Sequence, residues 1–562
     1  MAGRTTTFKV KSFQRGESHV HAPSNMPAKY AKMLYNCHIT DNGGIGKNNG
    51  YLKKNTSAEA GITFKSGCEY KKADGTTLNI VAGGGKVYKE SGGVLTELIS
   101  GLDSVAVVYF AVINDVLHFG NGVDLPRKYD MTSVDYIGLQ ATGTSAVTNG
   151  SATMTGTGTA YDTELAADGN IIIDGVFCTI LTVDNATQVT LTANYSGDTG
   201  SGHTLYYKVP PKTSFFPHVH QNRMWWLERA NTMKVTYSKL DTPDDYETAS
   251  DAGYMDFKFI LPRGDEALEL ATFMDLLIFF FKDHIPVYSG TNPNSNFNLE
   301  QLLSGIGVIN TGTVQNLGSD IVFLYSSGVK SMKQVVTTGN LNTDDKSEDI
   351  DPVLRKQIDA NTGNVYATAH YPARSWYMLL VNDVVWAFNY QKKAWGRIGG
   401  ADISGLFHTQ GGTVYFCGET FFYTYGTGFD YNGSSFYWRY ETAWMAHPKG
   451  YLLFPKIAEI SMEPGSNVGS GQYPITLELN YDLGAMQEFN QVFNSPIPPS
   501  LLDTAVEDIW ENCFYLDSRD YSPTRLPLFG SGKAFLMAFS NDSADGPMEI
   551  TDAVIQTVLG GL

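Results

Sequence analysis

Residues 107–130, VVYFAVINDVLHFGNGVDLPRKYD, decide how the chain is read. An apolar run from Val107 to Ile113 meets the pair Asn114-Asp115, and a second run, Val116 to Phe119, ends at Gly120-Asn121-Gly122. Asn and Asp tolerate the left-handed backbone of a tight hairpin turn, and Gly adopts it without steric cost. The flanking β-branched and aromatic side chains suit a pleated, half-buried surface. The stretch predicts a β-hairpin.

The same form recurs. Residues 78–89 (LNIVAGGGKVYK) turn on glycines, residues 223–238 (RMWWLERANTMKVTYS) at Ala230-Asn231, and residues 276–290 (LLIFFFKDHIPVYSG) at Lys282-Asp283. Residues 321–332 turn at Ser326-Ser327-Gly328, residues 377–390 (YMLLVNDVVWAFNY) at Asn382-Asp383, and residues 413–426 (TVYFCGETFFYTYG) at Gly418-Glu419. With an insertion set aside, the spacing averages about 45 residues, close to the ~40–50 of a four-stranded propeller blade. The expected fold class is all-β: a β-propeller of six or seven blades over residues 61–138 and 208–430.

The insertion is residues 139–207. No Lys or Arg occurs from Tyr129 to Tyr207, whereas Thr, Gly, Ala and Asp abound. Short strand-like runs between Gly, Asp and Asn turns predict a small β-barrel or sandwich. Past residue 430 the alternating runs lengthen, at 453–462, 474–481, 533–539 and 549–558, which predicts a C-terminal β-sandwich. A Pro-rich excursion at 495–525, with Pro496, Pro498, Pro499 and Pro523, interrupts it, since proline withholds ladder donors. Residues 1–60 read as an arm that packs on something else, with a short helix at 26–36 because Tyr30, Met33 and Leu34 lie at helical spacing. A second short helix is expected at 299–307, and a polar acidic loop at 337–354, where a neighbouring subunit or a lumen would meet it.

Composition narrows the function. The 562 residues hold 42% hydrophobics, 32 Tyr, 30 Phe and 57 Gly, enough for several packed β cores. The formal net charge of −18 argues against a surface that grips nucleic acid by neutralising phosphates. It is compatible with a wall past which DNA slides. Cys37, Cys68, Cys178, Cys417 and Cys513 are scattered and odd in number, and read as reduced, buried thiols. The start, MAGRTTTFKVKSF, has no apolar run of the signal-peptide kind, and the strongest apolar run, 276–281, is far short of the ~20 residues that cross a bilayer. No membrane span and assembly in a reducing cytoplasm are the expectations.

Several clusters invite a chemical reading. His19 and His21, like His218 and His220, alternate along a strand and would face one side, but without nearby Cys or carboxylates they read as structural. Trp225 and Trp226 beside the second pair read as blade-core residues rather than a sugar platform. Asp162, Glu164, Asp168, Asp174, Asp184 and Asp198 lack the spacing of an EF-hand and read as turn and surface carboxylates. Gly83-Gly84-Gly85-Lys86 resembles part of a phosphate loop, yet joins strand to strand. Among Asp265, Glu266 and Glu269, or Asp344, Asp345, Glu348 and Asp349, no pair stands out as the acid and base of a propeller glycosidase. Catalytic, cofactor and metal residues are therefore assigned as none, and the chain reads as not an enzyme.

The order of features resembles the tail nozzle, or tail hub, proteins of short-tailed bacteriophages. The carrying stretches are residues 109–130, 220–246 (HQNRMWWLERANTMKVTYSKLDTPDDY), 324–335 (LYSSGVKSMKQV) and 539–561 (FSNDSADGPMEITDAVIQTVLGG). The resemblance implies a structural virion protein, a homohexameric ring in the tail below portal and adaptor proteins and in contact with tail fibre or tip proteins. Its lumen would retain packaged DNA and later conduct it out. The principal rival is a receptor-binding or polysaccharide-degrading tail protein, followed by a non-viral propeller scaffold and a propeller hydrolase.

Overall fold

A computed structural model describes residues 4–10, 13–22, 25–247, 251–334, 341–360, 365–464, 472–481, 491–496, 524–528, 530–542 and 548–560. Strand makes up 52% of the chain and helix 4%, so the protein is all-β. Seven four-stranded antiparallel units follow one another, and each contains one of the seven hairpin stretches. Blade 1 starts with Phe64–Lys71, blade 2 with Tyr109–Ile113, blade 3 with Ser214–His220, blade 4 with Ala267–Phe273, blade 5 with Gln315–Asn316, blade 6 with Tyr366–Tyr371 and blade 7 with Gly405–His408.

The first strands of most successive blades pack against one another, blades 4 and 5 meet through a shared core that includes Leu268, Phe280 and Phe323, and blade 7 packs against blade 1, so the sheets close into a propeller. Between neighbouring blades lie separate apolar cores, such as Trp225, Phe257, Phe279 and Tyr288 between blades 3 and 4. The tight turns are as the side chains dictate. Asn114 and Asp115 have φ of 50° and 60°, and Gly84 and Gly85 have 57° and 76°. Gln221-Asn222 and Met274-Asp275 turn the same way, with four positive φ values that no glycine supplies.

Closure comes from the start of the chain. Blade 7 ends with Phe422–Tyr425, and its fourth strand is Tyr51–Lys53, paired antiparallel with Tyr51 opposite Tyr425. Tyr51 is buried, with its ring stacked on Tyr431 at 4.6 Å and against Tyr423 at 4.4 Å. Gly50 precedes it because a Cβ there would lie 1.8 Å from the Asp430 carbonyl oxygen.

Residues 1–60 are therefore not a separate arm. Beyond Tyr51–Lys53, Thr5–Val10 pairs with Met548–Leu559, and Ile45–Lys47 joins the same sheet. Ala31–Tyr35 is a strand rather than a helix. It lies between Trp438–Thr442 and blade 6, where Tyr35 pairs with Arg397. A β-bulge between Ala31 and Met33 buries Ala31 and Leu34 together, three residues apart, which imitates helical spacing. The expected helix at 299–307 is likewise strand Asn298–Ser304, with a bulge that skips Glu300. In the expected acidic loop, residues 337–340 fall outside the described residues, and the rest forms strand Leu341–Asp345 and leads into helix Asp351–Asp359.

The C-terminal strands and these N-terminal ones face each other across a shared core that includes Val10, Leu34, Ile45, Tyr440, Leu479, Phe539 and Ile555. Residues 497–523, most of the Pro-rich excursion, lie outside the described residues. The insertion between blades 2 and 3 is an eight-stranded sheet folded on itself. Its long strand Val176–Asn185 serves both halves, around Met154, Tyr161, Ile173, Val189 and Leu205.

Truncating Tyr51 to Ala should destabilise the protein by about 3–5 kcal/mol, the usual cost of deleting a large buried aromatic side chain. Leu52→Ala, on the exposed side of the same strand, should change stability by less than ~0.5 kcal/mol. Chemical denaturation of the two variants checks this, and equal effects would contradict ring closure by this strand.

Candidate functional site

The first strands of all seven blades face a common axis, where they line a cavity of about 510 Å³. Its wall carries Phe110 from blade 2, Phe216 and His218 from blade 3, Glu269 from blade 4, Val314 and Gln315 from blade 5, Thr368 from blade 6 and His408 from blade 7. Six of the seven blades offer a first strand of four residues or more, but blade 5 offers only Gln315–Asn316.

Glu269 compensates for that short strand. It is 4% exposed, and its Oε2 accepts hydrogen bonds from the backbone N–H groups of Gly312 (2.8 Å), Thr313 (3.0 Å) and Val314 (3.2 Å). The Thr311 hydroxyl donates to the Leu268 carbonyl at 2.9 Å, and the Asn316 amide to the Thr272 carbonyl at 3.0 Å. All five of these hydrogen bonds use a side chain in place of a missing interblade strand contact. Burial outweighs the three N–H groups and pushes the Glu269 carboxyl up to about 8, so it holds its proton at neutral pH.

Burial acts in the opposite sense on the histidines around the axis. It pushes His218 down to about 3, and His220 and His408 to about 4. His218 Nε2 and His220 Nδ1 both lie within hydrogen-bond distance of Thr272 Oγ1, at 2.9 and 3.0 Å. The axis is thus a hydrogen-bonding surface whose buried acid and histidines are uncharged at pH 7, and Glu269 acts in it as a brace between blades 4 and 5.

The other carboxylates named from sequence do not join it. Asp265 accepts from the N–H groups of Glu266 and Asp283 and lies 2.7 Å from His284 Nδ1, while Glu266 is exposed. Asp344, Asp345, Glu348 and Asp349 line a different cleft, between blades 5 and 6, in company with Arg15, Lys346 and Lys393. Lys346 pairs with Asp344 at 2.7 Å and Lys330 pairs with Asp345.

His19 contacts the Glu17 carboxylate, whereas His21 packs on the Tyr30 ring. Trp225 and Trp226 point to opposite sides of blade 3, into different cores. In the insertion, Glu164 accepts from Thr142 and Asp184 from Thr182 and Thr190. Lys86 follows the glycine turn and pairs with Glu97 at 2.8 Å. Cys37, Cys68, Cys178 and Cys417 are free thiols, and Cys513 lies outside the described residues. Among the described residues no group of three or more His, Cys, Asp or Glu is placed to hold a metal ion.

Sequence reasoning passed over Glu17. It is 1% exposed and gripped by Arg397, with Nη2 2.7 Å from Oε1 and Nε 2.9 Å from Oε2. This fork ties the chain start to blade 6. Nothing local marks the pair, because its members are far apart in sequence.

No family model matches the chain, and no curated protein matches it. Among solved structures it is similar to streptogramin B lyase, at 11% identity and a TM-score of 0.36, covering 67% of this chain and 97% of that one. It is also similar to the Neurospora crassa Pan2 WD40 domain, at 8% identity and TM-score 0.26, covering 57% and 90%. A third likeness is to the exo-beta-1,3-galactanase of Phanerochaete chrysosporium, at 7% identity and TM-score 0.24, covering 81% and 97%. The propeller itself is established by the strand ladders, and likenesses this distant assign no chemistry.

An acid with a raised native pKa is protonated in the native state after the unfolded chain has released its proton. Glu269 should therefore cost stability progressively from about pH 4.5 to about pH 8, by up to ~1.4 kcal/mol per pH unit. Glu269→Gln keeps an acceptor and cannot ionise, so its denaturation midpoint should rise relative to the parent between pH 5 and pH 8. Parallel profiles would mean that Glu269 is not held protonated. Buried neutral histidines work the other way. Their contribution is complete above about pH 6.5 and is lost as pH falls toward 4, so thermal midpoints should drop steeply across that interval.

Proposed function

We propose that this chain is a subunit of the tail nozzle ring of a short-tailed bacteriophage, a structural virion protein that retains packaged DNA and forms the channel for its ejection. On this reading it acts without catalysis, in the virion tail, with portal, adaptor and tail fibre or tip proteins as partners. The observation that carries the reading is the narrow axis of the propeller. About 510 Å³ walled by Phe110, Phe216 and Phe407 leaves no room for a duplex whose major groove alone is about 12 Å wide.

Any passage for DNA therefore runs between copies, with each propeller serving as a block in its wall. Two further features support this. The insertion and the sandwich both extend beyond the propeller, and a closed ring needs each subunit to offer two different surfaces. A net charge of −18 keeps a wall from holding phosphate by counterion release.

Electron microscopy of the purified protein mixed with its adaptor and portal should show rings of six subunits around an open centre. A protein that stays monomeric with those partners, and is missing from purified virions, would refute the proposal.

A further inference from the structure

A second cavity, of about 440 Å³, lies where the insertion meets the outer half of blade 3. Its size is within the ~300–1,000 Å³ of small-molecule sites. One wall is the insertion segment 164–171 with Tyr207, and the other is blade 3 with Lys234, Thr236 and Tyr254.

Thr236 is the telling residue. It is 5% exposed, yet its Oγ1 is buried without a hydrogen-bond partner. A hydroxyl left so costs about 1–3 kcal/mol. Its neighbours Val235 and Tyr237 fill the core between blades 3 and 4, so strand alternation turns Thr236 to the opposite face, toward the cavity. Directly across the ladder is Tyr254, which is 50% exposed, with the Lys234 ammonium 3.8 Å from its ring centre. Thr236, whose hydroxyl is unpartnered, and Tyr254, whose ring is exposed, thus share one wall.

The charges select against anions. Lys208 is already held by Asp245 at 3.3 Å and Glu247 at 3.2 Å. The lining carboxylates Glu164, Asp168 and Glu247 outnumber the lining ammonium groups Lys208 and Lys234. Carboxylates only accept hydrogen bonds, a threonine hydroxyl donates and accepts, and a tyrosine ring offers an apolar face. A ring bearing several hydroxyls on one side and C–H groups on the other meets all three.

We propose that this cleft binds a neutral saccharide. The proposal is independent of ring assembly, since its site lies within one chain. The test is a printed array of neutral and acidic oligosaccharides probed with the full chain, followed by calorimetric titration of the best neutral sugar. Binding should weaken at least tenfold in Tyr254→Ala and in Thr236→Val, and the thermal midpoint of Thr236→Val should be unchanged or raised, because the hydroxyl it removes has no partner in the fold. The proposal is overturned by retention of no neutral sugar, by preference for acidic glycans, or by affinity that neither variant alters. A lowered midpoint for Thr236→Val would also overturn it, by showing that the hydroxyl is satisfied within the fold.

Discussion

A ring of sheets has a seam, and the rest of this structure depends on how the seam is fastened. Here the fastening is an antiparallel pairing of Tyr51–Lys53 with Phe422–Tyr425, anchored by the buried Tyr51 ring among Tyr423 and Tyr431. Without it, blade 7 would present an unpaired edge of backbone donors and acceptors, and blades 7 and 1 would be held by their shared apolar core and a few hydrogen bonds such as Phe64 N–H to the Gly418 carbonyl. The Glu17–Arg397 fork and the pairing of Tyr35 with Arg397 fasten the same chain start to blade 6. The seam is thus gripped on two adjacent blades.

The axis shows what the ring requires inside. Six first strands are long enough to meet their neighbours, and where blade 5 falls short the Glu269 carboxyl gathers three backbone N–H groups in their place. A protonated acid there, with the axial histidines kept neutral, avoids placing an isolated buried charge at the centre of the disc. An axial space of about 510 Å³ is too small to be a conduit for a duplex.

Local patterns in the sequence carried most of this fold. The hairpin stretches fell one to a blade because period-two apolar alternation and turn residues act over a dozen positions. What misled was also local. At Ala31–Tyr35 and Asn298–Ser304 a bulge shifts the alternation so that residues three apart share a face, and the pattern then reads as helix. The turns at Gln221-Asn222 and Met274-Asp275 were passed over because Gln and Met carry no turn signal, although Asn222 and Asp275 tolerate positive φ. Thr5–Val10, Ala31–Tyr35 and Tyr51–Lys53 were missed for a different reason: each finds a partner hundreds of residues away, and no window along the chain records that. The candidate sites divide in the same way. Glu269 was one acidic residue among many until blade 5 proved short, and the Thr236 cavity exists only where two distant segments meet.

The sandwich adds a constraint of timing. Thr5–Val10 waits for Met548–Leu559, a strand made hundreds of residues later. Until then the nascent chain carries an unmated amino-terminal strand beside a disc whose seam strand comes from the same region. A polypeptide cut short before Met548–Leu559 would keep Thr5–Val10 exposed, so the fold itself distinguishes chains that carry both strands from those that carry one.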